Sequence, residues 1–233
     1  MHLKTLRSVR FTISGFAMLF IWAAAAVAGP PLICHTFDIG DAKSLPWISH
    51  DWNLSGGEHY DTHDLAYDTI TLLDSSEVGL VHMETLRRAT LYARKDPQAA
   101  KQLLVQLAAR ARSSESSEHP NALAIFDAGY LAEAYKQWLG EGSANPANGL
   151  DGMAWIEKAL QASGNNPEME FAAALITLHG SDAKHQAYAQ RAAAGAKNDE
   201  LLARNLARHF IGAQSQTMAE LILKNDETKV ARQ

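Results

Sequence analysis

Alanine is the most constraining feature of this chain. It has 40 alanines in 233 residues, and 33 of them fall from Ala66 onward. Six more lie in residues 1–28, and only Ala42 lies between 29 and 65. From Ala66 the other common residues are Leu, Glu, Lys, Gln and Arg, which lose least on entering a helix. Pro and Gly stand between the periodic stretches rather than inside them. The expected fold is therefore all-α, made of antiparallel helical hairpins, with no strand longer than a weak Val78–Val81 run.

The punctuation predicts individual helices. Asp61 is placed to cap a first helix running to about Leu73. A second covers Glu77–Arg94, and Asp96-Pro97 opens a third, with Pro at the first helical position, reaching about Arg112. Ser113–His119 reads as a polar loop. Pro120 opens a long helix to about Leu139, and 140–149 is a Gly/Asn/Pro loop. Further helices are expected over about 150–163, 167–179, 182–195, 198–212 and 214–224. Arg87-Arg88 and the Arg110/Arg112 pair read as solvated helix faces.

Residues 1–28 have the form of an address. Lys4, Arg7 and Arg10 precede the apolar run Phe11–Ala28, which ends Ala26-Val27-Ala28. This is the pattern of a secretory signal peptide cut after Ala28, which predicts a periplasmic or extracellular protein with no stable membrane span. Cleavage leaves 18 basic against 26 acidic residues. With no Lys/Arg cluster, nucleic-acid binding is not expected. Cys34 is the only cysteine, so no internal disulfide forms. Cys34-His35 lacks the first cysteine of a C-x-x-C-H haem site, because Pro31 stands there.

Residues 29–65 read as an irregular acidic segment, followed by a helical domain over 66–233. The segment holds six acids against Lys43, with His35, His50, His59 and His63, and with Trp47 and Trp52. Trp47, Trp52 and Tyr60 are expected to pin it onto the helices. Imidazole and carboxylate ligate divalent metals, so His50, Asp51, His59, Asp61 and His63 are the candidate ligands of a metal-binding or metal-dependent hydrolytic site. Asp61 also reads as a helix cap, which places His59 outside the helix and spoils an i,i+4 pair with His63. His82, His179 and His209 read as helix-face or partly buried residues. No G-x-S-x-G, P-loop or G-x-G-x-x-G is present, and no catalytic residue is assigned.

Two stretches align at an offset of 33: Ala154-Trp155-Ile156-Glu157-Lys158-Ala159 with Ala187-Tyr188-Ala189-Gln190-Arg191-Ala192. Each precedes a turn, Asn165-Asn166 or Asn198-Asp199, and another helix. Seventy residues upstream, Arg88-Ala89 and Asp96-Pro97 parallel Lys158-Ala159 and Asn166-Pro167. Over about residues 77–224 this pattern resembles degenerate tetratricopeptide and Sel1-like repeats, without their first-helix signature of Trp, Leu-Gly and Tyr. The resemblance implies a stacked α-solenoid with a concave face that binds a protein or peptide partner and does not catalyse.

Overall fold

The computed structural model describes residues 30–47, 57, 59–140, 145–178, 182–211, 216 and 217. They form eight α-helices: α1 (Leu65–Asp74), α2 (Gly79–Ala93), α3 (Pro97–Glu115), α4 (Ala122–Leu139), α5 (Gly152–Ala162), α6 (Pro167–Ile176), α7 (Asp182–Gly195) and α8 (Glu200–Arg208). A 3-10 turn, Thr62–Asp64, precedes α1, and another, Ala196–Asn198, links α7 to α8. The described residues are all-α apart from one two-residue antiparallel pairing, Phe210–Ile211 with Gln216–Thr217. Where that pairing begins, the helix expected to reach 212 stops at Arg208. At 216–217 it also replaces the helix expected over 214–224, whose other positions lie outside the described residues.

Most helix starts are fixed by one side chain each. Asp96 Oδ1 accepts from Gln98 N and Ala99 N, both at 3.0 Å. Asn166 Oδ1 caps α6 through Glu168 N and Met169 N. Asn121, Asp151 and Asp199 accept from Ala124 N, Ala154 N and Leu202 N. Each cap satisfies amides with no partner inside the helix, an effect of about 1 kcal/mol. Pro97 and Pro167 occupy first helical positions, where a missing N–H costs nothing. Val78 is the N-cap of α2 and not part of a strand. Helix α3 runs three residues beyond Arg112 because Ser114 is buried, donating to Asn121 O at 3.0 Å and accepting from Asn121 N at 2.6 Å.

Helix α2 is the centre. Every residue in it except Arg88 is buried. It packs on α1, α3, α4 and α6, while α4 also carries α3 and α5, and α6 carries α7. Ala159 and Ala192, the small positions of the aligned stretches, are both fully buried. Tyr188 is buried and Trp155 packs against the same core.

The α4–α5 crossing is a close helix approach set by two glycines. A Cβ on Gly129 would stand 2.7 Å from Gly152 O, and one on Gly152 would stand 2.6 Å from Gly129 O. Both limits are backbone atoms, so no rotamer change relieves them. We expect Gly129→Ala to destabilise the protein by roughly 1–3 kcal/mol through overpacking, despite the ~1 kcal/mol gain in helix propensity. A urea midpoint at or above that of the wild type would contradict this crossing.

Candidate functional site

Of the five residues proposed as metal ligands from the sequence, His50 and Asp51 lie outside the described residues. His59, Asp61 and His63 are exposed. Asp61 Oδ1 accepts from His63 N at 3.0 Å, so it caps the 3-10 turn. His59 precedes that turn and shares no helix with His63. Among the described residues no three His, Cys, Asp or Glu side chains are grouped so as to hold a metal ion. Trp47 is packed edge-on to Tyr92, with ring centroids 6.4 Å apart, and lies beneath the Arg87 guanidinium at 5.1 Å. Tyr60 lies against Tyr92 at 4.4 Å. Trp47 and Tyr60 therefore anchor the N-terminal segment; Trp52 lies outside the described residues.

The arginine pair 87–88 is not a solvated face. Arg87 and Glu84 side chains are 0% exposed, and Arg88 is largely covered. Arg87 grips Glu84 through Nε–Oε2 at 2.7 Å and Nη2–Oε1 at 3.0 Å. Arg88 Nε donates to Glu84 Oε1 at 2.7 Å. The remaining donors reach the N-terminal segment: Arg87 Nη1 to Ile33 O at 3.1 Å, and Arg88 Nη1 to Leu45 O at 2.6 Å. Phe37 N donates to Glu84 Oε2 at 3.0 Å. Residues 30–47 are thus held by buried charge on α2, and Leu32, Ile33, Phe37 and Leu45 enter the core. The (i,i+3) and (i,i+4) spacing of Glu84, Arg87 and Arg88 was visible in sequence. Their burial was not, because the covering carbonyls come from 54 and 43 residues away.

Three other groups have the raw chemistry of a site. The Cys34 thiol is half-buried; burial pushes its pKa up, and nearby Arg87 only partly opposes this, which keeps it protonated and weakly nucleophilic. His82 Nδ1 lies 2.7 Å from Asp127 Oδ1, and both side chains are buried. Burial alone would push the imidazole down, but Asp127, the Ser76 carbonyl and Glu168 outweigh it and hold His82 above its ordinary value. His82 Nε2 is 2.9 Å from Ser76 O, a carbonyl, and therefore donates to it. A catalytic His would offer that nitrogen to a nucleophile's hydroxyl, so this dyad is structural. His209 is 1% exposed, stacked on Phe37 at 4.8 Å and edge-on to Phe171 and His35. Its Nδ1 bonds Asn205 O at 2.8 Å. His179 lies outside the described residues.

An open concavity lies elsewhere, along the outer face of α3. It is a groove of about 770 Å³, floored by Leu104, Val105 and Ala108 and walled by Pro146 and Leu150. Val105 is 57% exposed, one of three large apolar residues so exposed among those described. Lys101 and Arg112 also line it, as does Asp96 at the start of α3. The volume falls in the roughly 300–1,000 Å³ range of small-ligand sites. Nothing in the sequence pattern marked this face, because Val105 is an ordinary apolar residue on a helix until its neighbours are known.

No protein family matches the chain, and neither the curated proteins nor the solved structures compared with it yield a match. Among the described residues no helix is long and apolar enough to cross a membrane.

His209 carries a pH dependence. Burial pushes its pKa down to about 4 from an ordinary 6.5. The unfolded chain therefore binds a proton before the folded one, and stability falls as pH drops from 6.5 toward 4. Between pH 6.5 and pH 5 this group alone costs about 1.6 kcal/mol, since the unfolded imidazole is already half protonated at pH 6.5. Urea unfolding at both pH values should show wild type losing that much more than His209→Phe. Equal losses in the two chains would contradict a neutral, buried His209.

Proposed function

We propose that this is an exported helical scaffold that binds a peptide segment of a partner in the α3 groove and performs no chemistry of its own. The observation that carries the proposal is the groove: a concave wall in which Val105 stands exposed beside the buried Leu104 and Ala108, an arrangement suited to an apolar peptide side chain. Two features support repeat-like hairpins as its frame. Helices α5 and α7, which hold the aligned stretches, each pack mainly on the helix before them. The turns that follow lead into similarly capped helices, Asn166 on α6 and Asp199 on α8. Export rests on the basic, apolar and A-x-A order of residues 1–28. A non-catalytic role is supported by how the buried polar groups are used: Glu84 and His82 spend their bonding capacity on the fold itself.

Selection from a random peptide library on the immobilised protein tests this. Sequences enriched on the wild type should bind Val105→Asp at least tenfold more weakly. The thermal midpoint should stay within a degree or two, since Val105 is a surface position. Peptides that bind Val105→Asp as well as wild type would remove the groove as the site.

A further inference from the structure

Resting on the groove as the binding site, we infer that its ligand is an extended acidic peptide, with two carboxylates about five residues apart and an apolar side chain between them. Lys101 and Arg112 are eleven residues apart on α3, which is three turns plus about 20°, so they share one helix face roughly 16 Å apart. Leu104, Val105 and Ala108 lie between them on that face. Nearby cations are already engaged: Arg110 pairs with Asp74, and Lys158 with Glu115. Lys101 and Arg112 have no ion-pair partner among the described residues. One carboxylate, Asp96, also lines the groove. Its oxygens are occupied by Gln98 N, Ala99 N and the Thr62 hydroxyl, which hold its pKa below the ordinary value. Asp96 therefore stays ionised, and the groove lining carries two cations without an ion-pair partner among the described residues against one capped carboxylate, on a chain whose formal net charge is -5.

Dimensions tie the ligand's carboxylate spacing to its conformation. An extended chain covers about 16 Å in five residues at ~3.3 Å each. A helical ligand would need its carboxylates about eleven residues apart to span the same interval, so the five-residue spacing specifies an extended chain. Because the molecule as a whole repels acidic ligands, attraction is confined to distances near the ~8 Å screening length at physiological salt. Binding then reports the two groove cations and not the overall charge.

The test uses two fluorescein-labelled synthetic peptides, one with glutamates five positions apart around Leu-Val, the other with lysines replacing the glutamates. Anisotropy titrations are run on wild type, Val105→Asp and the double variant Lys101→Glu/Arg112→Glu. The expected result is at least tenfold tighter binding of the glutamate peptide by wild type, reversed in favour of the lysine peptide by the double variant. If the lysine peptide binds wild type equally well and Val105→Asp abolishes that binding, the acidic ligand is overturned and the groove stands. Glutamate-peptide binding unmoved by the double variant also overturns the inference. If neither peptide binds, groove-selected library sequences without paired acids overturn it. Library binders indifferent to Val105→Asp overturn the groove and the inference together.

Discussion

A buried carboxylate, Glu84, holds this molecule to its N-terminal segment. Two guanidiniums and one backbone amide converge on it; Glu84 and Arg87 have no exposure to water and Arg88 is largely covered. Charges this deep are tolerated only when paired and fully hydrogen-bonded. Here the bonding closes only if residues 30–47 are in place, since Ile33 O and Leu45 O complete the arginines. Folding of the segment and burial of the charges are one event. The other ties follow the same line: Leu32 N to Gln137 on α4, Tyr92 to Pro46 O, and Asp38 to Asn205 and Arg204 on α8. A stretch without helix thereby joins α2, α4 and α8.

This arrangement leaves α3 free on one side. Its inner face, through Leu103, Leu107 and Ala111, belongs to the core. No residue of 30–47 lines the groove, and Val105 stays exposed between Lys101 and Arg112. Polar groups that could have served chemistry are bound up in holding the helices together. His82 with Asp127 links α2 to α4, and Glu168 of α6 receives Gly79 N of α2 at 2.6 Å.

Local features were legible in sequence and non-local ones were not. Asp96-Pro97 and Asn166-Pro167 announced helix starts because capping is decided within three residues. Asp61 was readable as a cap for the same reason. The end of α3 was misplaced because Ser114, in a serine-rich stretch, is buried by Asn121 seven residues on. Arg87 read as solvent-facing because nothing near it in the chain reveals carbonyls arriving from the N-terminal segment. The Gly129–Gly152 contact was equally silent: each glycine is unremarkable alone, and only the crossing of α4 with α5 makes them necessary. The candidate groove belongs to this second kind, since a concavity is a property of several elements at once.

The most direct test of the Glu84 account is tryptic cleavage at Lys43, an exposed site within the held segment, in wild type and Glu84→Gln. The substitution keeps the shape and leaves the buried Arg87 and the largely covered Arg88 without a counter-charge, a loss of roughly 3–5 kcal/mol. Cleavage at Lys43 should accelerate at least tenfold while the helical circular dichroism at low temperature is retained. Unchanged cleavage with an unchanged urea midpoint would contradict the claim that this carboxylate holds the segment to the helices.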